Sequence, residues 1–451
     1  MALAPRVSVK FLDTVVLPYA DDIGPEIDHQ TNEGWKKLTQ QFPGIHIRPT
    51  FRFVSEADLK ALVDRVAANN PDYHPPVFTT LFVVVCPTVA VVQHVANAIA
   101  AWPIVEFAVP QQAPSSPTGG LGGTGLNPAQ GYEDPAPRGI DARCAWGVNG
   151  GDGVGQKIID IELGWTLDHD DFAIHNPQLL FGTHEEPSRS HGTSVLGIIC
   201  AANNASGLVG VAPNVNSVNV MSYSQGAGGD PALIPETIAQ AVQRLDKGHV
   251  LLLEVELSFM PCEIDPQCLL AIELATAADI TVVEAAGNGS QNLDTFVNAW
   301  GQQQFLRPLN GKRTRDSKAI LVAGALPAVP HLKEPHSNFG SGIDCYAWAQ
   351  NVSTSASANA GDRGSHTVPP EFSLTSAASA IVAGAALSVQ GMVEAKFGDR
   401  LKPEPLRAVL STIGTNSIDP IGVMPNLCEI AATLAVASSI PGIPTNVHII
   451  T

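Results

Sequence analysis

The chain has little positive charge. Its 451 residues hold 25 lysines and arginines against 43 aspartates and glutamates, a formal charge of -18. That balance repels phosphate backbones and argues against nucleic acid as a partner. Long apolar runs are missing as well. Leu81 to Val85 and Val250 to Leu253 fall far short of the roughly 20 residues that cross a bilayer, so no membrane span is expected. The N-terminus lacks the continuous apolar core of a secretory leader, because Arg6, Lys10 and Asp13 interrupt it. The expectation is a cytoplasmic protein or a form that has lost its leader. Metal-type cysteine pairs are absent. The seven cysteines are odd in number, and only Cys262 and Cys268 lie close enough to suggest a local loop closure, its state depending on compartment. No repeat of fixed period is visible.

What is present describes a globular chain. With 45% hydrophobic and 15% charged residues, enough apolar surface is available to offset the ordering entropy. The length exceeds the usual single domain, so two unequal domains are expected. Residues 1–110 alternate short strands and helices. Val7 to Leu17 and Ile45 to Val54 read as extended and Asp28 to Gln41 as helical. Ser55, with Asp58 three residues on, caps a helix to Ala68. Leu81 to Cys86 is strand-like, Val89 to Ala101 helical and Ile104 to Val109 extended. The order fits a small α/β sandwich of ferredoxin-like type.

Residues 111–137 are rich in proline, glycine and serine and form a linker. The glycines from Gly120 to Gly125 imitate a dinucleotide fingerprint, but prolines stand where that motif needs a strand and a helix, so no such cofactor is expected. From 138 to 451 strands and helices alternate at longer spacing, which implies a parallel sheet covered on both faces. Active sites in such folds lie at the carboxyl ends of the strands.

Three segments carry chemistry. His191 opens a helix of small and apolar residues in Ser190-His191-Gly192-Thr193-Ser194. Read alone, it fits a loop histidine or helix cap as well as a catalytic base. Ser376 opens a helix of small residues in Thr375-Ser376-Ala377-Ala378-Ser379, a pattern that also serves as an ordinary N-cap. Asn288 follows a strand in Ala285-Ala286-Gly287-Asn288-Gly289 and can donate an amide hydrogen into a cleft.

Together, in the order His, Asn, Ser and with their flanking glycines, these segments resemble the subtilisin-like peptidases, or subtilases, over about residues 131 to 435. That family reads His-Gly-Thr-His-Val-Ala-Gly, Ala-Ala-Gly-Asn and Gly-Thr-Ser-Met-Ala-x-Pro-x-Val-Ala-Gly. Val382-Ala383-Gly384 matches in full, with Gly384 eight residues beyond Ser376 as in the family. The resemblance implies an α/β subtilisin-like fold and a serine endopeptidase with Ser376 as nucleophile, His191 as base and Asn288 in the oxyanion hole. No metal or organic cofactor is needed, and a peptide or protein is the substrate.

The third triad group is a carboxylate that in the family lies seven residues before a His-Pro-Asp-Leu segment. Glu162 lies seven residues before His169, and Gly164 then falls at the family glycine; Asp160 is the alternative two residues earlier. Both side chains point to one face of a strand. Glutamate in place of aspartate is chemically sound, because any well-placed carboxylate fixes the imidazole tautomer. Glu254 and Glu256 stand where subtilases have Ser-Leu-Gly along the substrate. They would favour basic substrate side chains, or simply face solvent or pair with a nearby arginine.

Other departures are Leu374 for the glycine before Thr-Ser, Ala380 for proline, Ser194 for the second histidine, and a long segment from Ser290 to Lys318. The sequons at Asn204, Asn288 and Asn351 are read as unglycosylated. The N-terminal domain resembles subtilase propeptides, which implies an intramolecular inhibitor or chaperone with Ile104 to Pro110 as the inhibitory tail. Competing readings are a catalytically silent peptide-binding protein of the same fold, and a narrow peptide-processing or ligating enzyme.

Overall fold

A computed structural model describes residues 4–115, 130–204, 208–226, 228–297, 316–357, 359–366 and 372–437. Gly120 to Gly125, and residues 298–315 of the long segment after Asn288, lie outside them. In chain order the N-terminal elements are β1 (Arg6–Phe11), α1 (Gly24–Thr31), α2 (Gly34–Gln41), β2 (His46–Pro49), α3 (Glu56–Asn69), β3 (Leu81–Val85), α4 (Val89–Ala100) and β4 (Val105–Pro110). The strands form an antiparallel sheet in the order β2-β3-β1-β4. That is the interleaved arrangement of a ferredoxin-like sandwich.

Ser55 caps α3 by accepting the Asp58 N–H, as the sequence predicts. The helix expected over 28–41 is two helices, because Asn32 and Glu33 adopt positive φ (52° and 60°) and turn the chain between them. The expected tail Ile104 to Pro110 contains β4, paired to β1. The three residues that follow lead to β5 (Pro114–Ser115), which leaves this sheet and pairs antiparallel with a strand of the second unit.

That second unit runs through α5 (Ala142–Ala145), β6 (Lys157–Glu162), β7 (Gln178–Phe181), α6 (Arg189–Cys200), β8 (Ser217–Ser222), α7 (Ile234–Val242), β9 (Val250–Leu253), β10 (Glu256–Leu257), β11 (Met260–Pro261), α8 (Pro266–Ala277) and β12 (Thr281–Ala285). It continues through β13 (Ile320–Ala325), β14 (Cys345–Trp348), β15 (Ser355–Ala356), β16 (Ser365–His366), α9 (Leu374–Phe397), α10 (Pro403–Thr412), β17 (Gly414–Asn416), β18 (Val423–Pro425) and α11 (Leu427–Val436). Its nine-stranded sheet has the order β17-β18-β14-β13-β12-β9-β6-β8-β7, parallel except for the β17–β18 pair. The central strands are buried on both faces, which explains apolar runs such as Val250 to Leu253.

Helix α9 is long and apolar enough to cross a membrane by length and composition, yet its apolar stretch is wholly buried against the sheet. Its small side chains permit that close packing. The two units meet along α7 and α8. Gln267 on α8 accepts from Thr50 and donates to the Val9 and Phe82 carbonyls, and the Glu236 carboxylate accepts the N–H groups of Arg52 and Phe53. Cys262 and Cys268 remain unbridged and buried; the disulfide joins Cys144 on α5 to Cys428 on α11, helices that pack together.

Candidate active site

The site gathers at the carboxyl ends of β6, β9 and β12 and the start of α9. Strand β6 ends in Asp160-Ile161-Glu162, whose period of two turns both carboxylates to one face. Glu162 Oε2 lies 2.9 Å from His191 Nδ1. Asp160 instead accepts the indole N–H of Trp165 at 2.7 Å. Of the two carboxylates, Glu162 is therefore the one at the imidazole.

His191 sits in the first turn of α6, and Gly192 beside it is needed for a close approach. A Cβ there would lie 2.4 Å from the Gly164 carbonyl oxygen and the Trp165 ring. The chain leaving β6 thus presses directly on the helix start and fixes the imidazole. Phe372 packs edge-on to that ring at 5.2 Å.

Ser376 is the third residue of α9, so its N–H is among those that a helix start leaves unpaired. Its hydroxyl is buried beside Glu254, and among the described residues neither it nor His191 Nε2 meets a hydrogen-bond partner within bonding geometry. Asn288 lies beyond β12 in a turn shaped by Gly287, which has φ 89° and no room for a Cβ beside the Phe259 carbonyl. Its Oδ1 accepts from the Thr375 N–H at 3.0 Å and the Thr375 hydroxyl at 2.9 Å, tying the turn to the residue before Ser376. Its side-chain nitrogen donates to Glu256.

Asn338 braces this turn, donating to the Phe259 and Ala286 carbonyls and accepting from the N–H groups of Gly289 and Gln291. Sequence reasoning missed it. Its signal is a single asparagine 47 to 79 residues from its partners, with no local pattern around it.

Glu254 and Glu256 are both fully buried and turned into the protein. Glu254 accepts the Ser379 hydroxyl, one helical turn beyond Ser376. A basic substrate side chain would have to reach inward to meet either carboxylate. His169 and Asp171, from the segment used for spacing, stay in a structural role: His169 caps a short turn and Asp171 accepts from Ser355 and His366.

Four buried carboxyl groups around one imidazole set the electrostatics. Burial pushes Asp160 and Glu162 well above the usual carboxylate range, each helped by a neighbouring carboxylate, Glu162 for the first and Glu254 for the second. Burial also pushes Glu254 up to about 8. His191 is lowered by burial, against the pull of Glu254, Asp160 and Glu256. A neutral imidazole beside a proton-sharing carboxyl cluster suits a general base. Leu374, just before the serine segment, holds φ at 72°, a left-handed conformation in which glycine is unstrained.

The chain is similar to known proteins. The pattern of the Subtilase family matches residues 166–420. An intracellular serine protease of Paenibacillus polymyxa is 26% identical over 285 residues, 59% of this chain and 77% of that protein. Two solved structures are similar. One, a cold adapted subtilisin-like serine proteinase, is 19% identical with a TM-score of 0.45, covering 62% of this chain and 90% of its own. The other, of proteases from Pseudoalteromonas arctica, is 18% identical with a TM-score of 0.49, covering 66% and 94%.

Proposed function

Since the chain belongs to the subtilase family and is a serine peptidase by that membership, we propose that it cleaves peptide bonds within chains through Ser376, His191 and Glu162, with Asn288 and the Ser376 N–H as the oxyanion hole. The observation that carries this reading is the 2.9 Å contact of Glu162 with His191 Nδ1, which leaves a buried, unpartnered Nε2 to take the proton of a buried, unpartnered serine hydroxyl.

His191 removes the Ser376 proton as the oxygen attacks the scissile carbonyl. The tetrahedral oxyanion then accepts from the Asn288 amide and the Ser376 N–H, and His191 returns its proton to the leaving amine. Glu162 holds the imidazole tautomer and stabilises the imidazolium. A preference for basic substrate residues is weakened by burial, which favours the uncharged form of Glu254 up to about pH 8.

The N-terminal domain acts in this reading as an intramolecular inhibitor. Support comes from β5, which adds antiparallel to β10, and from Ser258, whose N–H donates to the Ala113 carbonyl at 2.9 Å. An extended segment added to a sheet edge is how a peptide would lie along Glu256 and Leu257.

The test is labelling with a fluorophosphonate probe, comparing wild type with Ser376→Ala, Glu162→Gln and Asp160→Asn. Labelling is expected to vanish in the first, to fall by up to about 10,000-fold in the second, as loss of the tautomer-fixing carboxylate does, and to change little in the third. Labelling that survives Ser376→Ala overturns the mechanism. A fall confined to Asp160→Asn overturns the choice of carboxylate.

A further inference from the structure

We propose that Glu256 is a positioning residue that gates the oxyanion hole, its carboxylate holding the Asn288 amide in the resting enzyme and opposing the negative charge that the hole must receive. The proposal rests on the reading of Asn288 as an oxyanion donor, and it adds a group that no catalytic motif contains.

Three observations carry it. The Asn288 amide is anchored at its oxygen by both the N–H and the hydroxyl of Thr375, so its orientation is settled and its nitrogen is the end left to act. That nitrogen donates to Glu256 Oε1. Glu256 in turn has little freedom to move away. It is fully buried, and its strand is paired on one side to β5 and on the other to β11.

The charge reaches the reacting groups as well. Glu256 raises the proton affinity of both His191 and the buried Tyr223, so it shares one electrostatic environment with the base. An oxyanion is stabilised by donors held ready and unspent where its charge develops. Here one such donor is spent on a carboxylate. The negative charge of that carboxylate also lies against the forming oxyanion in a site where water screens little. Catalysis thus requires Glu256 to release the amide or lose its charge, and substrate laid along β10 in place of β5 acts on the strand that carries it.

A glutamine at this position keeps the shape and one acceptor oxygen while removing the charge. The test measures fluorophosphonate labelling rates of the full chain, since the tetrahedral adduct places an oxygen in the same hole whatever the natural substrate. Glu256→Gln is expected to label at least about tenfold faster than wild type, within the roughly 100 to 1000-fold that one oxyanion donor is worth. Asn288→Ala should label slower by about that larger factor, and Glu256→Gln/Asn288→Ala no faster than Asn288→Ala alone.

Unchanged or slower labelling of Glu256→Gln, with Asn288→Ala still impaired, overturns the gate and leaves the oxyanion assignment standing. An equal gain in both backgrounds overturns the gate too, because the charge would then act without Asn288. Normal labelling of Asn288→Ala overturns the underlying assignment instead, and no labelling of any variant overturns both. Glu256→Ser, read against thermal unfolding curves, repeats the test with a smaller side chain should the glutamine variant fail to fold.

Discussion

Glu254 makes a stability prediction that is independent of any substrate. Its carboxyl is buried beside Ser379 and pushed from the ordinary 4.5 up to about 8. Below pH 4.5 the group is protonated in folded and unfolded chains alike and costs nothing. Between 4.5 and 8 the unfolded chain releases this proton while the folded chain keeps it, so stability declines as pH rises, by about 1.4 kcal/mol per unit. Above 8 the loss levels off. The full decline attributable to Glu254 is about 5 kcal/mol, an upper figure because water entry and side-chain rotation relax part of the cost of burying the charge. Glu254→Gln cannot ionise and keeps an acceptor for Ser379, so its stability should be flatter across this window. The experiment compares denaturant unfolding at pH 5, 6, 7, 8 and 9, in a Ser376→Ala background to prevent self-cleavage. Fluorescence of Trp165, bonded to neighbouring Asp160, reports the transition. Divergence of the two stability curves by about 3 to 5 kcal/mol between pH 5 and 8 is expected. Parallel curves would refute the assignment of a neutral carboxyl at this position.

Two further outcomes follow from the backbone and the cross-link. Leu374→Gly removes a left-handed strain worth about 1 to 2 kcal/mol and returns up to about 1 kcal/mol through the greater freedom of the unfolded chain, so a small rise in the unfolding midpoint is expected; a clear drop would mean that Leu374 packing outweighs its strain. The Cys144–Cys428 bridge spans 284 residues, and its removal by paired serine substitution should cost about 2 to 5 kcal/mol, read as a lower denaturation midpoint that reductant reproduces in wild type.

The sequence disclosed those parts of the site whose constraints are local. Ser376 and His191 each stand at a helix start that must be lined by small residues, so their surroundings are legible as motifs. The spacing of two between Asp160 and Glu162 puts both carboxylates on one face but does not say which meets the imidazole; that depends on the indole of Trp165, which engages Asp160 from the following turn. Glu256 was visible as an acidic residue on the cleft strand, whereas its bond to Asn288 depends on how β10 and the turn after β12 approach in space. The disulfide had no local signal, since its cysteines lie at opposite ends of the catalytic unit. The split of the 28–41 helix came from Asn32 and Glu33, whose backbone conformation an apolar pattern does not reveal.

The pairing of β5 with β10 also has a kinetic meaning. Only Gln111, Gln112 and Ala113 separate β5 from the end of β4, and β4 is fixed in the N-terminal sheet. A segment on so short a tether meets its docking strand at an effective concentration in the millimolar range or above. A free peptide competing for Glu256 and Leu257 must exceed that local concentration or bind correspondingly tighter. Severing the chain on the β4 side of β5 would leave it joined to the second unit through residues 116–129 alone, a longer tether that lowers its local concentration without altering a single contact in the cleft.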